Sequence, residues 1–220
     1  MCGRVLRTSP VELLTQLFDL LAAPNDLRDR YNLAPTDPIP VIRTPRHLEL
    51  LRWGLEMPSI RMAGINARVE SLSKPIYREK VREKRCLVVV DGFYEWRALG
   101  GKKQPYLIAR EDRAPLVMAG IYDSSGRCAI ITAPAAGVVA SLHTRMPVLL
   151  EREAFDTWLD PAVKDVREVL AKASGDGLTC YPVSTRVNAV RNDDAMLVTR
   201  VPEPVAEVKE TAKGKTLSLF

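Results

Sequence analysis

The sequence predicts a single α+β domain in which β-strands dominate. Short apolar runs recur between turn residues through the middle of the chain, few stretches have a helical spacing of apolar residues, and no repeat or linker divides the chain. The most distinct strand is Arg85–Val90, a continuous apolar run typical of a strand that is buried on both faces. With 220 residues, 46% of them hydrophobic, the chain can bury a substantial core.

The first element is a predicted helix that begins near residue 10. Ser9 is expected to be the N-cap, Pro10 the first helical residue, and Glu12 the residue that closes a capping box with Ser9. Five residues at helical spacing predict a buried stripe: Leu13, Leu14, Leu17, Phe18 and Leu21. Residues 22–40 are rich in Pro, Asn and Asp and are predicted to form an ordered loop.

The remaining elements are mostly strands. They are expected at residues 41–42, 48–53, 85–90, 105–109, 116–122, 128–133 and 178–183, with turns at 99–102 and 123–126. Helices are expected at residues 75–83, at 151–159, and from an Asp160 cap with Pro161 to about Lys172. Because Pro, Glu and Lys dominate from Pro202 onward, residues 1–201 are predicted to form the domain and residues 202–220 a frayed tail.

Composition and spacing exclude several classes of protein. The longest apolar runs are too short to cross a bilayer, and the N-terminus lacks the apolar core of a signal peptide, so a cytoplasmic protein is expected. The four cysteines and two histidines have no metal-ligand spacing, so neither a metal nor another cofactor is expected. The net charge of +5, with many arginines before residue 90, fits either a polyanionic partner or a solvated positive surface.

Cys2 is the first candidate for chemistry. Removal of Met1 would leave a residue whose α-amine and thiol have pKa values near ~8 and ~8.5, so both would be partly reactive at neutral pH. An aldehyde can form an imine with this amine, and the thiolate can then close a five-membered thiazolidine ring. On sequence alone, a cysteine that stands at position 2 without any role remains the alternative.

Three other segments carry candidate side chains. Glu95 lies among aromatic residues, where a desolvated carboxylate has a raised pKa and can move protons; an exposed glutamate is the alternative. His143 lies in a predicted turn and is either an acid–base group or a structural residue. Asn66 and Arg68 alternate in an extended segment, where they could hold a sugar and a phosphate or belong to a polar loop.

Eight segments of the chain form a recognisable set. In order they are M-C-G-R at residues 1–4, Y-N-L-A-P at 31–35, R-W-G-L at 52–55, I-N-A-R-V-E at 65–70, R-C-L-V-V-V-D-G-F-Y-E-W at 85–96, M-A-G-I-Y at 118–122, L-H-T-R-M-P at 142–147 and V-S-T-R-V-N at 183–188. This set resembles the SRAP family, the SOS-response-associated peptidases that shield abasic sites in DNA. The resemblance extends from residue 1 to about residue 201.

The resemblance implies a mechanism. Cys2 would be the nucleophile that forms a thiazolidine crosslink with the ring-opened abasic sugar once Met1 has been removed. Glu95 would hold and deprotonate the Cys2 amine and take part in self-removal of Met1. His143 would act as acid or base in opening the sugar ring and in reversing the crosslink, and Asn66 would orient the amine or the sugar. The imine intermediate would also permit a weak lyase activity.

The resemblance also implies a fold and a partner. Phosphates would be contacted by Arg4, Arg68, Thr132 and, as a weaker candidate, Arg145, while Asn32 and Pro35 would line the pocket and Trp53 and Trp96 would stack on bases or wedge them apart. The fold would be β-rich α+β, with a curved, barrel-like mixed sheet, flanking helices and a basic groove. The expected partner is single-stranded DNA with abasic sites, and further expectations are replication-fork proteins as partners, a monomeric state, and association with the nucleoid on DNA binding.

Two other functions compete with DNA capture. A peptidase that acts on other proteins would use Cys2 as an N-terminal nucleophile, but it needs a substrate cleft and oxyanion donors that the sequence does not identify. A non-covalent single-stranded DNA-binding protein would use the Trp and Arg residues, but it leaves the M-C-G-R start without a role.

Overall fold

The computed structural model describes residues 2–57, 63–171 and 174–204, where the chain forms twelve β-strands and four α-helices. The strands are β1 (Val5–Arg7), β2 (Arg30–Leu33), β3 (Pro38–Arg43), β4 (His47–Trp53), β5 (Asn66–Arg68), β6 (Arg85–Val90), β7 (Gly92–Leu99), β8 (Lys102–Arg110), β9 (Leu116–Tyr122), β10 (Arg127–Pro134), β11 (Arg145–Pro147) and β12 (Leu178–Pro182). The helices are α1 (Val11–Phe18), α2 (Pro75–Glu83), α3 (Phe155–Leu159) and α4 (Arg167–Ala171). Apart from residues 202–204, the predicted tail lies outside the described residues.

Two sheets organise the molecule. The smaller sheet has five antiparallel strands in the order β12-β8-β7-β1-β2. The larger sheet has the order β11-β10-β4-β3-β6-β9, with β5 added beside β10. Since β9 also pairs with β10, five of its strands close into a ring, and β4 and β5 pair with β10 in parallel. These mixed, curved sheets confirm the prediction of a β-rich α+β fold.

The larger sheet buries both of its faces. One face packs against the helices, where Leu14 of α1, Tyr77 of α2 and Trp158 of α3 share a core with Leu87. The other face packs toward the smaller sheet, where Val88 belongs to a second core. All six residues of β6 are buried, as its unbroken apolar run predicts. No helix in the described ranges combines the length and apolar character needed to cross a membrane.

The two predicted turns are confirmed. Gly100 and Gly101 join β7 to β8 with φ values of +55° and +85°, a region that glycine enters without steric strain. The hairpin between β9 and β10 turns at residues 123–126, where Asp123 Oδ1 accepts hydrogen bonds from the backbone of Ser125 and Arg127. Each turn therefore connects two adjacent antiparallel strands, β7 with β8 and β9 with β10.

The predicted start of α1 is wrong in detail. The helix begins at Val11, and no side chain caps it. The hydroxyl of Ser9 donates to the carboxylate of Asp91 instead of accepting from the helix, so the capping box with Glu12 does not form. Of the predicted stripe, Leu14 and Phe18 are buried. Leu13 is exposed although it lies within the helix, and Leu21 is exposed beyond the end of the helix at Phe18.

Several other boundaries also differ from the predictions. The predicted loop at residues 22–40 contains β2 and the start of β3, which tertiary pairing with β1 and β4 stabilises. The helix expected from Pro161 begins only at Arg167. Strands β1, β5 and β11 have three residues each, too few for an alternating apolar pattern to appear in the sequence.

Candidate active site

Cys2 lies in the interior, three residues before β1. Strand β1 lies between β7 and β2 in the smaller sheet, and Cys2 belongs to the core that this sheet shares with the larger one. The Cys2 side chain is fully buried in the same core cluster as Val5 and Phe93. Burial, followed by the negative charge of Glu95, raises the pKa of the Cys2 thiol far above its ordinary value. The thiol is therefore protonated at neutral pH, and it needs a base before it can act as a nucleophile.

Asn66 contacts Cys2 directly. Its Nδ2 donates a 2.7 Å hydrogen bond to the backbone oxygen of Cys2. The position is set by β5, which runs parallel to β10 with Asn66 opposite Ile130, so both side chains lie on the sheet face that packs around Cys2. Asn66 Oδ1 is buried and has no hydrogen-bond partner among the described residues, which leaves an acceptor available within the site.

Glu95 is a buried carboxylate on β7. It alternates with Tyr94 and therefore lies on the same face as Phe93, toward the Cys2 core. The residue is only 3% exposed, which rules out the exposed-glutamate alternative. Burial raises the pKa of Glu95, and the positive field of His143 acts in the opposite direction. A carboxylate with a raised pKa in such a position suits proton transfer.

His143 lies in the turn between the 3-10 helix Gly137–Ser141 and β11. Its backbone N–H donates to Val139, and its Nδ1 accepts a 2.9 Å hydrogen bond from the backbone N–H of Arg145. Nδ1 also lies 3.2 Å from Arg145 O. Because the backbone nitrogen of Arg145 can only donate, Nδ1 must be the acceptor, and the proton of a neutral ring is assigned to Nε2. The imidazole therefore presents a donor at Nε2.

Four predicted residues thus converge on one site, which we call the pocket: Cys2, Asn66, Glu95 and His143. The hydrogen bond of Asn66 to Cys2 and the electrostatic influence of Glu95 on Cys2 and of His143 on Glu95 connect them. The pocket combines a nucleophile, a carboxylate that can take up a proton and an imidazole that can donate one. This set can catalyse addition to a carbonyl group and the proton transfers that accompany it.

Three basic or aromatic side chains lie beside the pocket, and we call them the rim: Arg4, Arg68 and Trp96. Each is one or two positions along the chain from a pocket residue. Arg4 donates to Asn32 Oδ1 and to Val187 O, both at 2.6 Å, and its guanidinium lies over the Trp96 ring at 5.9 Å. Arg68 is exposed and forms no ion pair with a described residue. A phosphate can therefore reach its guanidinium.

Other predicted DNA-binding residues occupy different surroundings. Asn32 is buried, and its Nδ2 donates to the backbone oxygens of residues 187, 189 and 192, so it supports Arg4 rather than facing solvent. Thr132 is a buried neighbour of Arg68, and Arg145 is bound by Glu70. Pro35 is exposed in the turn before β3 and remains accessible to a ligand.

Trp53 requires a correction. The resemblance implies that its ring stacks on bases or wedges them apart, but the side chain is 0% exposed and packs in the core around Cys2. Its Nε1 donates a 3.0 Å hydrogen bond to Ile65 O, one residue before Asn66. Trp53 therefore supports the segment that carries Asn66 and offers no surface to a base.

Two residues near the site had no role assigned from the sequence. Glu70 forms an ion pair with Arg145, and Asn188 Oδ1 accepts a 2.7 Å hydrogen bond from Trp96 Nε1. Both lie at the ends of recognised segments, I-N-A-R-V-E and V-S-T-R-V-N. Their place in those segments was the available signal, but their partners are distant in sequence and could be found only from the fold.

Comparisons with known proteins show the family to which the chain belongs. Residues 1–190 match the family described as SOS response associated peptidase (SRAP). The chain is 32% identical to abasic site processing protein YoqW of Bacillus subtilis, over 90% of this chain and 99% of that protein, and 33% identical to abasic site processing protein HMCES of Gallus gallus, over 86% and 72%. The match with the family covers all four pocket residues.

Solved structures resemble the fold. A crystal structure of a protein from Bacteroides thetaiotaomicron has a TM-score of 0.69 at 25% identity and covers 89% of this chain and 92% of its own. A phage-related protein from Bordetella bronchiseptica has a TM-score of 0.70 at 29% identity, over 84% of this chain and 95% of its own. From the shared sequence, the shared fold and the residues gathered around Cys2, this chain belongs to the SOS response associated peptidase (SRAP) family.

Proposed function

We propose that this protein recognises abasic sites in single-stranded DNA and captures them covalently through Cys2 after Met1 has been removed. The observation that carries the proposal is the convergence of Asn66, Glu95 and His143 on a buried Cys2. The substrate is inferred from relatives named abasic site processing proteins. Residues 1–201 form the proposed functional unit, which acts as a monomer.

The proposed chemistry begins with the sugar aldehyde. The lone pair of the Cys2 amine attacks the aldehyde carbon to give a carbinolamine, which loses one water molecule to form an imine. The Cys2 sulfur then bonds to the imine carbon, while its proton is transferred to the imine nitrogen. The product is a thiazolidine, and the net reaction releases one water molecule. Because ring closure consumes the imine, it suppresses the β-elimination that would break the strand.

Each pocket residue has a distinct proposed role. Glu95 takes a proton from the Cys2 amine and later from the buried thiol, whose raised pKa makes a base necessary. His143 donates from Nε2 to the sugar oxygen as the ring opens, and it returns a proton in reversal. Asn66 fixes the Cys2 carbonyl, and therefore the direction of the amine. Glu95 also assists the hydrolysis that removes Met1.

The rim is proposed to hold the DNA strand. Arg68 and Arg4 bind phosphates on either side of the lesion, and Trp96, partly exposed beside Arg4, stacks on an adjacent base. The exposed Pro35 limits the space around the sugar. Lysine and arginine contacts of this kind would make binding dependent on salt.

A denaturing gel tests the proposal. Purified protein is mixed with a single-stranded oligonucleotide that contains one abasic site, with the undamaged oligonucleotide as the control. A slower band is expected only with the abasic site, and Cys2→Ala should abolish it. Absence of this band from the wild-type protein would reject covalent capture, and cleavage of added peptides in the same preparation would favour a peptidase that acts on other proteins.

Mass spectrometry tests the state of the nucleophile. The active protein should have lost Met1, and Glu95→Gln should retain it in part if Glu95 assists the hydrolysis. Full retention of Met1 in protein that still forms the crosslink would show that the Cys2 amine is not the attacking group.

A further inference from the structure

A bidentate ion pair connects the two segments that carry Asn66 and His143. Arg145 donates from its two terminal nitrogens to Glu70, at 2.6 Å to Oε1 and 3.0 Å to Oε2. Glu70 follows β5 in the 3-10 helix Val69–Ser71, whereas Arg145 begins β11. Because β10 lies between β5 and β11, the pair bridges three adjacent strands of the larger sheet.

Arg145 is fixed at two further points. A terminal nitrogen of its guanidinium donates a 2.5 Å hydrogen bond to the backbone oxygen of Thr132 in β10. Its backbone N–H donates to Nδ1 of His143 at 2.9 Å. The last of these bonds sets both the direction of the imidazole and the nitrogen that carries its proton. The backbone of Arg145 therefore orients the ring of His143, and the side chain of Arg145 is in turn held by Glu70.

The charge state of Glu70 favours a persistent contact. The hydrogen bond from Arg145 is the main cause that lowers the pKa of Glu70, and the positive charges of Arg145 and Arg68 act in the same direction. The carboxylate is thus ionised throughout the neutral range. A two-point arginine–carboxylate contact also restricts orientation more than a single hydrogen bond does.

We propose that Glu70 is a positioning residue for the capture reaction, because by holding Arg145 it fixes the ring orientation and the proton-bearing nitrogen of His143. This inference rests on the proposed function. It gives Arg145 a role in the frame of the pocket. Arg68, which is exposed and forms no ion pair with a described residue, remains the proposed phosphate ligand on this side of the site.

Single-turnover crosslinking at saturating DNA tests the role in the reaction. Glu70→Ala should slow crosslink formation by about 10- to 100-fold, the scale expected when a catalytic group is misplaced by less than about 1 Å. The dissociation constant for undamaged DNA should change by less than about threefold, because Glu70 is not among the side chains proposed to contact the strand. Glu70→Asp, which keeps the carboxylate, should recover part of the lost rate.

Glu79 offers a matched control. It is also an exposed glutamate in an ion pair, with Lys84 on α2, and it has no contact with the pocket residues. Glu79→Ala should crosslink at the wild-type rate. If Glu70→Ala also reacts at the wild-type rate, or binds DNA more tightly without a change in rate, then Glu70 only competes with phosphate for Arg145 and the positioning role is wrong.

Nitrogen NMR of the histidine rings gives a test that needs no DNA. The chain has only two histidines, so a His47→Gln variant assigns the signals of His143. The wild-type ring should show the Nε2–H tautomer, and Glu70→Ala should show a mixture of tautomers. An unchanged tautomer would overturn the inference. If the wild-type protein failed to crosslink, the proposed function would fall while this measurement could still support the positioning of His143.

Discussion

The pocket and the rim are adjacent in the chain but differ in their surroundings. Cys2 and Glu95 are buried between the sheets, whereas Arg68 is exposed to solvent. Burial raises the pKa values of Cys2 and Glu95, and groups with such pKa values are suited to proton transfer. The same burial prevents these residues from contacting a long DNA strand. Solvent-exposed cationic side chains attract phosphates but do not change the reactivity of the bound DNA. Under the proposed function, the chemistry takes place in the buried pocket and DNA binds at the exposed rim, so substitutions in the two regions should affect different measurements.

The largest effect should come from the nucleophile. Cys2→Ser keeps the α-amine but replaces the sulfur that closes the ring, so the stable crosslink should disappear completely while an imine can still form. Borohydride reduction should therefore trap Cys2→Ser on abasic DNA, although an untreated sample shows no band. If untreated Cys2→Ser gave the wild-type amount of stable crosslink, sulfur would not be needed for capture. The proposed role of the buried thiol in the pocket would then be wrong.

Glu95 should give the next largest effect. Glu95→Gln removes the proposed base and should lower the crosslinking rate by about 10²- to 10⁴-fold without weakening DNA binding. Single-turnover rates and equilibrium binding, measured on the same protein, separate these outcomes. A variant that binds DNA poorly but reacts normally once bound would place Glu95 with the rim.

Glu95→Gln should also change stability with pH. Because burial raises the pKa of Glu95 in the folded state, ionisation at neutral pH destabilises the fold, and this penalty is relieved as pH falls through the folded pKa. Glu95→Gln should therefore melt at a higher temperature than wild type at pH 7, and the difference should shrink toward pH 4. If Glu95→Gln melted at a lower temperature than wild type at pH 7, the ionised Glu95 side chain would not destabilise the fold, and the prediction would be wrong.

The two tryptophans sharpen the comparison. Trp96→Leu should weaken single-stranded DNA binding by about 1–3 kcal/mol, the usual contribution of a base stacked on an aromatic ring, with little change in melting temperature. Trp53→Phe should do the reverse, because Trp53 is fully buried and donates to Ile65 O. Fluorescence titration and thermal melts of both variants test this. Weaker DNA binding by a stable Trp53→Phe protein would restore Trp53 to the DNA interface.

Arg68 should give the smallest effect. Arg68→Gln removes one phosphate contact, so the dependence of log affinity on log salt should decrease in slope by about 0.7, while the rate at saturating DNA stays unchanged. Arg78, an exposed arginine on α2 that forms no ion pair with a described residue, is the matched control. Equal effects of Arg68→Gln and Arg78→Gln would show that the rim acts only through net charge.

Long elements with clear patterns were predictable. The apolar run of β6 and the helix Pro75–Glu83 have the predicted bounds because each contains its own periodicity or start signal. Ser9 shows where this fails. Its position fits an N-cap, but its hydroxyl donates a hydrogen bond to Asp91, 82 residues away in the chain. Local preference gave way to a partner that only folding brings close.

The sequence alone determined the fold class, the family resemblance and the four pocket residues, because these depend on residue types and on segments that are read along the chain. Tertiary structure decided how deep each residue lies. Trp53 and Trp96 both looked like base-stacking residues, yet Trp53 is fully buried in the core and Trp96 is partly exposed. Burial depends on every strand that packs around a residue. The hydrogen bonds that connect Glu70 to Arg145 and Arg145 to His143 likewise depend on the pairing of β5 and β11 with β10.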